Sequence, residues 1–316
     1  SFPTRRSSDL ISLTRQLELK AQVVTELFSR IAKMEIKFEM RSVAPSSGLH
    51  WRTRVDFAIS KNGNIGLYSA RSYEVIEIDR CEAVLEDINN LDIFKRTWRG
   101  DDRVEVAATN TGQISVSRGG RTIEGQSQLV ERVGELKYQL TPASFWQGHT
   151  GAPEVLVNEV LRVGEFQSDD HVLDLYGGAG LFAKAILNQV PSIAKLHLIE
   201  SNEKATSDAR KNLQEFGKTA SIYTGRVEQW LSQIKRADVV VLDPPRAGAG
   251  AEVVSQLLRI KPSRIVYVAC DPASLARDVK DFVANGWSIQ QIDGYDLFPM
   301  TQHIETVCLL VPNKIS

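Results

Sequence analysis

HVLDLYGGAGL, residues 171–181, decides the fold. The apolar run His171–Leu175 carries one acid, Asp174, and meets a glycine turn at Gly177, Gly178 and Gly180. Leu181–Val190 then has the spacing of a helix. Strand, glycine turn and helix open a doubly wound α/β unit, which takes ligand at the carboxyl end of its strands. Glycines at that turn let backbone approach a bound molecule where a Cβ would collide.

Reading downstream, Leu196–Ile199 is a second strand ending at Glu200, an acid placed for ribose hydroxyls. Asn202–Phe216 is a helix capped by Ser201, and Ala220–Tyr223 the third strand. The fourth, Val239–Leu242, runs into Asp243-Pro244-Pro245-Arg246, where two prolines stiffen the backbone. Val253–Ile260 is helical, and the fifth strand, Arg264–Ala269, ends in Cys270-Asp271-Pro272. After a helix over Leu275–Val283, Trp287–Ile292 and Thr306–Val311 form a closing hairpin around Phe298, Pro299, Met300 and His303. A seven-strand sheet closed by a hairpin is the sheet of the class I methyltransferases.

The glycine turn alone does not settle function. Gly178-Ala-Gly180-Leu-Phe-Ala183 with Glu200 beyond it also fits dinucleotide binding, so an NAD(P)-dependent oxidoreductase is a rival. Asp174, the D-P-P-R end of the fourth strand and the closing hairpin weigh against it. D-P-P also resembles the motif that amino-methyltransferases use beside a purine amine, a second rival. Cys270 separates the two methyltransferase readings. An amine is its own nucleophile and has no use for a thiol, whereas carbon 5 of a pyrimidine becomes nucleophilic only after addition at carbon 6. The helix that starts after Asp271-Pro272, with Ser274 placed to help start it, should lower the thiol's pKa. Cys308, within Val307–Val311, reads as a small buried hydrophobe.

Upstream, Leu13–Met34 is an amphipathic helix and Ile36–Arg41 a strand. Arg52–Ser60 and Ile65–Ala70 form a hairpin around Asn62-Gly63-Asn64, and Glu74–Ile78 is another strand. Cys81–Trp98 reads as a helix, followed by strand-like segments at Val104–Ala108, Ile114–Ser117, Thr122–Glu124, Gln128–Val133 and Leu136–Leu140. This is an α+β region dominated by antiparallel strands. Arg52, Arg54, Arg71, Arg118 and Arg121 are candidates to meet phosphate, against the plainer reading of a solvated sheet face. Thr141–Gly151, with Phe145-Trp146-Gln147, is the joint, and Pro153 opens a helix. The expected division is 1–12 non-native or disordered, 13–145 an RNA-binding α+β domain, and 146–316 the methyltransferase domain. Ser1–Leu10 lacks periodicity, reads as foreign to the rest of the chain, and is expected to stand in for native sequence upstream.

The 316 residues are 42% hydrophobic and 24% charged, ordinary for a globular chain with a sizeable core. Net charge is −1, with 21 Lys+Arg against 19 Asp+Glu over residues 1–150 and 17 against 20 over 151–316. Any grip on nucleic acid must therefore be local. Three scattered cysteines imply neither a disulfide framework nor a zinc site, and a reducing, cytoplasmic setting is expected.

DLYGGAGLF, LDPPRAGAG, ACDPASLARD and HIETVCLL, in that order, resemble the RNA uracil-5-methyltransferase family, from about Leu17 to the end. The resemblance implies an S-adenosylmethionine-dependent enzyme making 5-methyluridine in tRNA or 23S rRNA. It implies Cys270 as nucleophile, Glu305 as base, and Gln147, Tyr176, Glu200 and Asp243 as the residues holding S-adenosylmethionine. By itself, Glu305 reads equally as a surface carboxylate. An RNA-binding module without activity is the remaining alternative. Three departures stand out: Asp271 where the family often has Asn, His149 where Asn is common, and a single cysteine, Cys81, where relatives have an iron–sulfur set. No iron–sulfur cluster, other metal, membrane or obligate protein partner is expected for this chain.

Overall fold

The computed structural model describes residues 10–69, 72–100 and 103–313. Helix α1 (Leu13–Leu27), prolonged by a π-helical turn over Phe28–Ala32, leads to β1 (Met40–Ser42). Then come β2 (Arg54–Ile59), β3 (Ile65–Tyr68), β4 (Val75–Glu77), the short α2 (Glu86–Asn89), β5 (Val104–Ala108), β6 (Ile114–Arg118), β7 (Arg121–Gly125), β8 (Leu129–Val133) and β9 (Leu136–Leu140). The remainder is α3 (Ala152–Gly164), β10 (His171–Leu175), α4 (Leu181–Gln189), β11 (Lys195–Glu200), α5 (Glu203–Asn212), β12 (Ala220–Thr224) and α6 (Val227–Leu231). It closes with β13 (Val239–Leu242), α7 (Gly250–Ile260), β14 (Arg264–Ala269), α8 (Pro272–Ala284), β15 (Trp287–Asp296) and β16 (Glu305–Pro312).

The large sheet has the order β1-β15-β16-β14-β13-β10-β11-β12. Its strands β10 to β14 are parallel, and β16 runs antiparallel between β14 and β15. Without β1 this is the expected seven-strand class I methyltransferase sheet. Both faces are covered, so the central strands are apolar at nearly every position. Val172, Val239, Val241, Val266 and Val268 face α3 and α4, whereas Leu173, Leu175, Val240, Leu242 and Tyr267 face α7 and α8. A second sheet, β4-β3-β2-β5-β6-β7, is antiparallel and covers its own core around Phe57, Ile88, Ile93 and Val106. Strands β8 and β9 form a separate hairpin whose Leu129, Tyr138 and Leu140 join the core beneath α3.

Three details differ from the sequence expectation. The strand over Ile36–Arg41 shrinks to β1 and extends the large sheet, pairing parallel with β15 from Met40↔Gly294 to Ser42↔Asp296. Gly294 has no side chain, and the Phe38 ring and Met40 sulfur occupy the space that one would take. The helix over Cys81–Trp98 is instead α2 and one 3-10 turn, Asp92–Lys95. The Asn89 amide folds back onto the Cys81 backbone N–H and carbonyl and so holds Cys81 outside the helix. Third, α5 is capped by Asn202, not Ser201: the Asn202 Oδ1 accepts from Lys204 and Ala205 N–H, both at 3.0 Å.

The arginines are not uniformly free for phosphate. Arg54 is largely enclosed and donates to the Pro142 carbonyl at 3.2 Å, and Arg118 lies over Trp98 and donates to the Arg99 carbonyl. Arg52 and Arg121 are exposed, and Arg71 lies outside the described residues. Ser1–Asp9 also lie outside them. No helix among the described residues is long and apolar enough to cross a membrane.

Candidate active site

The glycine turn after β10 is shaped by three left-handed residues in five: Tyr176 (φ 62°), Gly178 (φ 53°) and Gly180 (φ 89°). Gly178 is open on the side where a Cβ would project, with nothing within 4 Å. Tyr176 has no such excuse. A bulky residue there stores backbone strain, which the Ile199 carbonyl holds in place by accepting the Tyr176 N–H at 2.8 Å. Asp174 is fully buried, and one of its oxygens accepts the Ala183 N–H at 3.0 Å, tying strand to helix. Its other oxygen has no hydrogen-bond partner. Glu200, at the end of β11, accepts from Gly178 N–H at 3.2 Å and from Asn202 N–H at 2.7 Å.

The same rim carries the other candidates. Asp243 follows β13, its N–H bonded to the Leu175 carbonyl at 3.2 Å. The Gln147 amide lies 3.5 Å from an Asp243 oxygen. The small sheet sets the Gln147 loop: Thr53, just before β2, donates its N–H to the Gly148 carbonyl at 2.9 Å and its hydroxyl to the Gln147 carbonyl at 3.4 Å. Register places the last two. Ala269 of β14 stands opposite Thr306 of β16, so one step further brings Cys270 and Glu305 together across the sheet end. Cys270 is part-exposed, whereas Glu305 is buried at 4% exposure.

Four strands thus deliver acids to one rim, and their proton affinities show it. Burial, then Glu200, pushes Asp243 up to about 7. Burial, then Asp243, lifts Glu305 well above the carboxylate range. Burial, then Asp243 and Glu200 against the Ala183 N–H, takes Asp174 to about 7. The Cys270 thiol moves opposite to the sequence expectation: burial, then the Glu305 and Asp243 carboxylates, raise it to about 11, with Arg246 pulling the other way. The cap of α8 is Asp271 itself, which accepts the Ser274 N–H at 2.8 Å. Ser274 is therefore a capped position rather than the cap.

Sequence reasoning missed the braces behind these residues. Asp208 of α5, fully buried, accepts from Thr141 N–H (2.7 Å), Thr141 hydroxyl (2.9 Å) and Ser144 hydroxyl (2.8 Å), fixing the joint before Gln147. Asn212, one turn on, bonds Gln139 on both backbone atoms and the Ala179 carbonyl of the glycine turn. Polar residues recurring on the inward face of α5 were the available signal. His149 is a buried brace too. Its Nδ1 accepts the Gly151 N–H at 3.0 Å, its ring stacks on Trp51, and burial lowers it to about 4. Cys81 is packed in the small-sheet core. Among the described residues no three His, Cys, Asp or Glu side chains gather as a metal site.

Comparison with known proteins gives the family. The family model described as tRNA (uracil-5-)-methyltransferase matches residues 114–313. The chain belongs to that family. It is an RNA (uracil-5-)-methyltransferase of the class I, S-adenosylmethionine-dependent kind. An uncharacterized RNA methyltransferase of Streptomyces coelicolor is 36% identical over 338 residues, covering 94% of this chain and 73% of its own length. A Thermotoga maritima relative of the same description is 30% identical, covering 94% and 80%. Among solved structures, the Pyrococcus abyssi tRNA (uracil-54, C5)-methyltransferase in complex with S-adenosyl-L-homocysteine shares the fold, with TM-score 0.73 and 24% identity over 93% of this chain and 83% of that one. Membership in the family sets aside both the oxidoreductase and the amino-methyltransferase readings.

Proposed function

We propose that this uracil-5-methyltransferase acts on uridine in structured tRNA or 23S rRNA through a covalent bond between Cys270 and carbon 6. The observation that carries the reading is the register at the end of β14 and β16, which brings thiol and carboxyl to one rim beside Asp243. S-adenosylmethionine supplies an electrophilic methyl group. Its binding is assigned to Gln147, Tyr176, Glu200 and Asp243, and the open side of Gly178 with the Glu200 carboxylate beside it fits a nucleoside there.

Cys270 loses its proton to solvent and its sulfur bonds to carbon 6, moving the carbon 5–carbon 6 π electrons toward the carbon 4 carbonyl. Carbon 5 would then take the methyl group as the donor's carbon–sulfur bond breaks and its electron pair stays on the donor sulfur, which leaves neutral. Glu305 accepts the proton from carbon 5, the double bond re-forms, and the carbon 6–sulfur bond breaks to return the thiolate. Glu305 is suited to this order: burial makes it a stronger base than a surface carboxylate, and it grows stronger once the positive charge of the donor is spent. The target base must leave its stack to reach this rim, at a cost of a few kcal/mol. The division at about residue 145 is kept as a functional one, the antiparallel sheet gripping RNA in a cytoplasmic enzyme.

The test supplies labelled methyl donor with unmodified tRNA and 23S rRNA transcripts and maps the label. Transfer to carbon 5 of uridine is expected, abolished in Cys270→Ala. Glu305→Gln should accumulate an RNA–protein adduct that survives a denaturing gel. Transfer undiminished in Cys270→Ala would overturn the covalent route, and the labelled RNA decides between the two substrate classes.

A further inference from the structure

Helix α1 buries three residues at helical spacing, Gln16, Lys20 and Val24, and two of them are polar. Lys20 is 6% exposed. Its ammonium donates to Asp296 Oδ1 at 2.7 Å and to the Phe298 carbonyl at 3.1 Å. The Gln16 carbonyl oxygen accepts the Met300 N–H at 3.0 Å, and its amide reaches the Met300 sulfur at 3.1 Å. These partners lie on one stretch, the last residue of β15 and the connection that follows it to Glu305 at the start of β16. The Phe298 carbonyl also accepts from Thr301 N–H (3.2 Å) and hydroxyl (2.7 Å), and the Thr301 hydroxyl accepts His303 N–H at 3.2 Å. His303 in turn meets Arg246 at 3.3 Å, the cation that acts on Cys270.

We propose that Lys20, with Gln16 beside it, is a positioning residue that sets where Glu305 stands relative to the target carbon. The inference rests on the reading of Glu305 as the base. A buried ion pair is a poor way to gain stability, because desolvating both charges can outweigh their attraction. Burial at this seam would be met as well by methionine or leucine. What an apolar residue cannot do is hold Asp296 and the Phe298 carbonyl from one point, 276 and 278 residues away along the chain. Lys20 therefore anchors the connection where it leaves β15, beside Tyr295, the residue that pairs with Glu305 across β15 and β16.

The experiment compares wild type, Lys20→Met, the doubly apolar Lys20→Met/Asp296→Leu, and Glu305→Gln. The probe is transcribed RNA carrying tritium at carbon 5 of uridine, with labelled methyl donor. Tritium release, methyl transfer, adduct on a denaturing gel and thermal midpoint are read on each protein. Lys20→Met is expected to slow tritium release at least tenfold while methyl transfer is nearly kept, so that adduct builds up. The double variant should recover the thermal midpoint but not the release rate. Release that recovers together with the midpoint makes Lys20 merely structural and overturns the proposal. Adduct in Glu305→Gln but none in Lys20→Met overturns it while leaving the base in place. Failure of Glu305→Gln itself to form adduct overturns both.

Discussion

At the scale of single residues, Cys270 poses a tension between position and ionisation. With its thiol raised to about 11, only about a thousandth is thiolate at pH 8. Burial is the larger cause and the negative potential of Glu305 and Asp243 the next, so a positive charge brought beside those acids should relieve part of the rise. Alkylation of Cys270 by iodoacetamide is therefore expected to rise about tenfold per pH unit from pH 7 to 10. A cationic amine analogue of the donor should speed it about threefold or more over neutral S-adenosylhomocysteine. Equal rates with the two ligands would show that the carboxylates do not govern the thiol. Glu200, Asp243 and Cys270 were legible by position, since each closes or follows a strand on one edge of a doubly wound sheet, whereas Gln147, Tyr176 and Glu305 came from the family resemblance alone. The direction of the thiol's shift was not legible. It depends first on burial and then on acids contributed by two other strands, both distant from Cys270 in sequence.

Among the elements, the segment between Asp243 and α7 is held from a distance. Asp278 of α8, buried beneath it, accepts from Ala249 N–H (2.8 Å), Gly250 N–H (3.3 Å) and the Tyr267 hydroxyl (2.7 Å) on one oxygen, and from Arg277 on the other. Arg277 also donates to the Ala247 carbonyl at 2.6 Å. Asp278→Asn turns an NH2 group toward one set of these donors. It should cost roughly 2 kcal/mol of stability and loosen the Pro244–Gly248 turn. Tyr267→Phe, which keeps the Asp278 contacts to the backbone, should cost only about 1 kcal/mol. Urea unfolding with a donor-binding titration checks both, and equal losses would mean that Asp278 does not organise the turn. Strands and helices with clean periodicity, such as β10, α7 and β16, were legible. The segment from Cys81 to Trp98 has helical spacing yet is mostly irregular, with the Asn89 amide holding Cys81 outside the helix.

Over the whole molecule, chain order and packing part company. Helix α1 and β1 precede the small sheet in sequence but belong to the large one, and through Lys20 they reach the rim that carries Glu305. No local pattern could place them, since a three-residue strand is assigned by its partner and not by its own periodicity. The molecule as a whole also carries an unusual proton balance. Burial raises Asp174, Asp243 and Glu131 to about 7. Each is raised above its unfolded value, so its contribution to stability is complete below about pH 4 and is lost as pH rises through 7. Two histidines, one buried and one half-buried, oppose this. His149, lowered to about 4, and His197, also lowered, add stability as pH rises toward about 6.5 and nothing beyond it. Above pH 6.5 the carboxyls act alone, each removing up to about 1.4 kcal/mol per pH unit until it has ionised. The donor-free protein is therefore expected to melt at a lower temperature at pH 8 than at pH 6.5. Glu131→Gln, distant from the catalytic rim, isolates one of these terms: the variant should gain on wild type between pH 5.5 and pH 8. A difference in midpoint that does not change over that range would mean that Glu131 is ionised throughout, its burial already offset by the Arg54 guanidinium.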